Sequence, residues 1–181
     1  MRSRLVSLLL AASMCLTLGG CGGLSGLMGG IIIEPSGHSD GESHTPDLNY
    51  SGAQGSELCV EVYSLEEGDW SGPAPALSLP VSGSGSVRLS FDLMAERVSA
   101  SVSDGEGERP ASADMGEPPA RPDTAEQIVY ITDTKHVAHG ETVPVVAQYF
   151  GGGSAPQLES FGQPEALEDC EAVYILTVRF E

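Results

Sequence analysis

Apolar and polar residues alternate one for one through most of the chain beyond residue 56. Leu58, Val60 and Val62 alternate with Cys59, Glu61 and Tyr63, and Leu77 and Leu79 flank Ser78. Val87, Leu89, Phe91 and Leu93 alternate with Arg88, Ser90 and Asp92, and Val98, Ala100 and Val102 repeat the pattern. A period of two places successive side chains on opposite faces, so each run reads as a half-buried strand. Further strands are expected over residues 127–131, 142–150 and 172–180. Pro144 has no N–H to give a ladder, so it must lie at an edge or a bulge. No stretch shows a convincing helical period; residues 165–168 offer one turn at most.

About seven short strands without amphipathic helices bury their apolar faces most simply as an antiparallel β-sandwich. The expected fold class is therefore all-β, a single sandwich over residues 57–181. Strand count and length resemble an immunoglobulin-like or fibronectin-III-like module. The resemblance is one of pattern alone, because Trp70 falls in a turn rather than on a core strand. Residues 104–126 hold seven acids, two arginines and four prolines. They read as a long acidic loop outside the packed core.

The N-terminus follows another rule. Arg2 and Arg4 precede an uncharged apolar run from Leu5 to Leu18, too short to span roughly 30 Å of hydrocarbon comfortably. Leu18-Gly19-Gly20-Cys21 closes it. This order and spacing resemble the lipobox of bacterial lipoproteins. The resemblance implies that residues 1–20 are a cleaved signal peptide and that Cys21 becomes a diacylated N-terminus. It also implies a cell-membrane location on the extracytoplasmic face. Two acyl chains, at about 0.8 kcal/mol per buried CH₂, hold a protein stably on a bilayer. Residues 21–56 then read as the lipidated cysteine and a flexible spacer. From 34 to 56 there is no Lys or Arg and one aromatic residue, Tyr50. An uncleaved anchor is the alternative, since residues 22–33 are uncharged and contain Leu24, Leu27, Met28 and Ile31-Ile32-Ile33, but five glycines among those twelve residues make a long helix costly.

Charge narrows the partners. The formal charge is −18, and losing Arg2 and Arg4 with the signal makes it −18 − 2 = −20. Nucleic acid, which demands a basic footprint, is excluded as a partner. A membrane reached through the lipid anchor and an extracellular protein or glycan remain. Beyond Cys21 the mature chain holds Cys59 and Cys170, which exported proteins often pair. Their bridge would close 170 − 59 + 1 = 112 residues; the alternative is two buried free thiols.

Chemistry is sparse. His136 and His139, in a loop with Asp133 and Glu141, are weak candidates for a metal site. H-x-x-H alone is a poor signal, and Lys135 opposes a cation there. His38, Asp40, Glu42 and His44 form a second histidine-acid group; Asp104, Glu106 and Glu108 alternate as calcium ligands do, but Met115 stands where an EF-hand needs its bidentate glutamate. Trp70, Tyr149, Phe150 and Phe161 are candidates for an aromatic patch. There is no nucleophile elbow, Walker loop, H-E-x-x-H or C-x-x-C. The expectation is a non-enzymatic binding or structural module without a cofactor. Its rivals are a small metal-dependent surface enzyme using His136 and His139, and an accessory subunit of an envelope or transport complex.

Overall fold

A computed structural model describes residues 30–39, 44–66, 69–73, 76–92, 97–114, 122–151, 157–160, 167 and 169–181. The expected signal peptide and Cys21 lie outside them, as do Asp40, Glu42, Phe161 and most of residues 165–168. The described strands form two antiparallel sheets of six. One contains β1 (Ile31–Ser39), β2 (Thr45–Ser51), β6 (Ser84–Asp92), β7 (Arg97–Asp104), β8 (Gly107–Asp114) and β10 (Lys135–Val137), in the order β10-β1-β2-β6-β7-β8. The other contains β3 (Ser56–Glu66), β4 (Asp69–Ser71), β5 (Ala76–Val81), β9 (Glu126–Tyr130), β11 (Val143–Gly151) and β12 (Cys170–Phe180). Its order is β4-β3-β12-β11-β9, with β5 also paired to β3.

The all-β sandwich expected from the alternation is the observed architecture. Its twelve described strands exceed the expected seven, and six plus six is not the four-plus-three arrangement of an immunoglobulin constant domain. Leu48, Val87, Leu89, Phe91, Val98 and Val102 of the first sheet are buried, as are Leu58, Val60, Leu176, Val178 and Phe180 of the second. The Tyr50 and Phe180 rings, one from each sheet, meet at 5.4 Å. Pro144 sits where the β11–β12 register shifts, the bulge its missing N–H demands.

Three expectations are corrected. The domain begins before residue 57: β1 and β2 lie within the expected spacer and form a hairpin at the centre of the first sheet. Ile31, Ile33, Leu48 and Tyr50 are each at most 3% exposed. These residues alternate too, but in runs so short that the surrounding Gly, Ser, Pro and Asp dominate the composition. Part of the expected 104–126 loop is also strand, since β8 pairs with β7 from Asp104↔Gly107 to Arg97↔Asp114. As the edge of its sheet, β8 tolerates Pro110 and its charged residues, while Ala111 and Ala113 pack on the core.

The third correction concerns the cysteines. Cys59 lies opposite Arg179 in the β3–β12 ladder, and Cys170 is 179 − 170 = 9 residues back along β12. At about 3.4 Å per residue the two are roughly 30 Å apart, whereas a bridge needs Cα atoms within about 7 Å. Both are free thiols, and burial raises the pKa of each. Peptide mapping after alkylation in denaturant, without reductant, should therefore find Cys59 and Cys170 fully alkylated. A linked Cys59–Cys170 peptide would contradict the register of β3 on β12.

Candidate functional site

After β9 the chain leaves one sheet and enters the other as β10, then returns as β11. At this double crossing a cleft of about 710 Å³ opens. Val129, Ile131, Val137, Val143 and Leu158 supply its apolar wall. Leu158 comes from a short 3-10 turn, Leu158–Ser160, in the connection from β11 to β12. Asp133, Lys135, His136 and Glu141 bring charge and hydrogen-bonding capacity to the same cleft. This combination of apolar lining and a few polar groups is that of small-molecule sites, and the volume falls within their usual range.

Local sequence explains the polar groups' placement. Val137 and Ile31 are partners in the β1–β10 ladder, as are His136 and Ile32. Val137 is buried with Ile31, so the alternation leaves His136 exposed at the cleft. The Glu141 carboxylate accepts the Ala138 N–H at 2.9 Å and closes the turn that carries Gly140 at φ 79°. His139 is in that turn, with its Nδ1 3.4 Å from Ser56 Oγ. The two histidines of the H-x-x-H group thus part: His136 lines the cleft and His139 meets the start of β3. Among the described residues no three of His, Cys, Asp and Glu come together in a way that would hold a metal.

His38 and His44 do converge, but on an aromatic ring. His38 stacks on Tyr130 at 4.3 Å with the planes 19° apart. Tyr130 Oη is 3.4 Å from His44 Nδ1, and His44 Nε2 is 3.4 Å from Glu126 Oε1. Gln148 Nε2 donates to that same carboxylate oxygen at 2.6 Å. The group clasps the β1–β2 hairpin of one sheet to β9 and β11 of the other. Tyr130 belongs both to this clasp and to the cleft.

The other polar clusters are committed to the fold. The Asp104 side chain has no solvent exposure. Its Oδ2 accepts from Arg109 at 2.5 Å, from the Ser82 N–H at 2.9 Å and from the Tyr50 hydroxyl at 3.1 Å, while Oδ1 accepts the Glu106 N–H at 2.9 Å. The Arg109 hydrogen bond leads in holding this carboxyl well below the usual range. Burial, with the Asp104 charge beside it, pushes the Tyr50 hydroxyl up to about 12. These partners engage Asp104 within the fold, where it joins β2, β7, β8 and the turn after β5. Gly85 of β6 makes room for them, since a Cβ there would stand 2.7 Å from the Tyr50 hydroxyl and 2.8 Å from Asp104 Cβ. On the second sheet, buried Glu61 accepts from Arg179 at 2.7 Å and from the Tyr63 hydroxyl at 3.3 Å.

Of the candidates for an aromatic patch, Phe161 lies outside the described residues, and the others are at least half-buried. Tyr149 and Phe150 are both 1% exposed, and half-buried Trp70 pairs with Leu65 in the β3–β4 ladder. Instead, Lys135 is the residue whose place in the cleft the linear pattern underplays. Its signal is composition: it is the sole lysine of a chain with 26 acidic residues.

No family model, curated protein or solved structure matches this chain. Fold and cleft define it as an all-β sandwich protein with a ligand-sized opening at a crossing between sheets.

Proposed function

We propose that this chain is a membrane-anchored extracytoplasmic lipoprotein whose β-sandwich is a ligand-binding module. The cleft between β9, β10 and the start of β11 carries the binding half: it is ligand-sized, apolar-walled and edged by charge. The lipobox-like Leu18-Gly19-Gly20-Cys21 supports the anchoring half. With β1 beginning at Ile31, the connection from the lipidated cysteine to the first strand is residues 22–30 rather than 22–56.

Each half has its own test. Mass spectrometry of the membrane fraction should find a diacylglyceryl-modified peptide beginning at Cys21. Membrane attachment should disappear in Cys21→Ala; a lipidated form of that variant would rule out Cys21 as the anchor. A fragment screen by methyl NMR should show ligand-induced shifts at Val129, Val137 and Val143. Hits confined to other surfaces would leave the module without its binding site.

A further inference from the structure

The chemistry of the lining indicates what the cleft takes. Its apolar wall is aliphatic: Val129, Ile131, Val137, Val143 and Leu158 are all branched hydrocarbons. Among the described residues Tyr130 is the one aromatic in the lining, and its ring is already stacked on His38. No pair of aromatic faces is there to hold a flat ring, whereas branched side chains make many dispersion contacts with a flexible hydrocarbon chain. The polypeptide also enters the fold at this place. Ile31, where β1 begins, pairs with Val137, and Ile32 pairs with His136. Only residues 22–30 separate that point from Cys21, the proposed lipid anchor. Resting on the binding reading above, we propose that the cleft takes the aliphatic chain of an uncharged lipid drawn from the membrane. The lipid's hydroxyl-bearing head meets Thr132, His136 and Thr142 at the rim.

Charge selects the head. Asp133 and Glu141 at the cleft, and the formal charge of −18 on the whole chain, repel an anionic one. A cationic head gains little, because both carboxylates are exposed, where ion pairs are weak. Lys135, which already has a partner in the chain, stands beside them with the opposite sign. An uncharged head meets no such opposition. The threonine hydroxyls and the imidazole offer it donors and acceptors, and the hydrocarbon chain supplies affinity by leaving water.

The butyl, hexyl and octyl ethers of glycerol, kept below their micelle concentrations, test this against three comparators: the phenyl ether, hexanoate and hexylamine. All are titrated into the methyl-labelled full-length Cys21→Ala chain, which brings no acyl chains of its own. The alkyl ethers should shift the Val129, Val137 and Val143 methyls. Their affinity should rise about fourfold with each added CH₂, the equivalent of ~0.8 kcal/mol per buried CH₂. The hexyl ether should bind more tightly than any comparator, and Val129→Thr should weaken the octyl ether. Phosphatidylcholine vesicles loaded with mono-oleoylglycerol should produce the same shifts. An affinity independent of chain length, or a comparator that binds as tightly as the hexyl ether, would overturn the lipid assignment and leave the binding module standing. Shifts from the ethers with none from the loaded vesicles would overturn the membrane as the source. No shift at these methyls from any probe would remove the cleft as a binding site as well.

Discussion

A chain lacking residues 31–51 should fail to fold cooperatively. The deletion takes β1 and β2 from the middle of the first sheet and leaves β10 with no neighbour to pair with. It also removes Ile31, Ile33, Leu48 and Tyr50, all at most 3% exposed. Each of the three aliphatic side chains contributes about 1.5–3 kcal/mol by burial, so together they approach the 5–15 kcal/mol of a typical domain. The single substitution Ile33→Ala should cost about 2–5 kcal/mol, through lost transfer free energy and the cavity left behind. Urea unfolding followed by circular dichroism reads both. A deletion chain that keeps the full-length midpoint would return residues 31–51 to the status of a spacer.

The second large effect is expected at Asp104. In Asp104→Asn the Arg109 guanidinium loses its buried counter-charge while the side chain keeps its size. Removing one partner of an ion pair leaves the other without its counter-charge, so the urea midpoint at neutral pH should fall below that of wild type. Linkage supplies a signature that lost packing would not. The carboxyl pKa is lower in the folded protein than the ordinary value near 3.9, so its contribution is complete above about pH 4. It declines as the pH falls from there through the lower folded pKa. The urea midpoints of wild type and Asp104→Asn should therefore differ at neutral pH and converge in acid. Gly85→Ala, which crowds the same carboxylate and the Tyr50 hydroxyl, should lower the midpoint without changing the hub's charge. A gap between wild type and Asp104→Asn that is independent of pH would mean that Asp104 acts through shape alone.

The Tyr130 side chain belongs at once to the clasp and to the lining of the cleft. Its ring is stacked by His38 and its hydroxyl approaches His44, residues on either side of the connection between β1 and β2. A ligand of the kind proposed for the cleft would meet in Tyr130 a side chain already positioned by both sheets, at a lower ordering cost.

Sequence by itself determined what depends on near neighbours. Alternation at Val87-x-Leu89-x-Phe91 or Ala172-x-Tyr174-x-Leu176 marks a strand because the pleat has a period of two, whatever lies across it. The missing N–H of Pro144 likewise required an irregular place in a ladder, and it has one. Tertiary structure decided whatever depends on partners distant in the chain. Ile31 and Ile33 become core because β10, more than a hundred residues later, and β2 pair on either side of them. Cys59 and Cys170 both begin apolar runs, yet the antiparallel register sets them far apart along the β3–β12 ladder. Asp104 resembles a calcium ligand by spacing and becomes an internal counter-ion because Arg109, Tyr50 and Ser82 reach it from other turns and strands. Lys135 gains its place in the same way. A charged residue in a loop is ordinarily just solvated; the crossing from β9 to β10 and back to β11 places this one in a cleft walled by residues that strand pairing brings together.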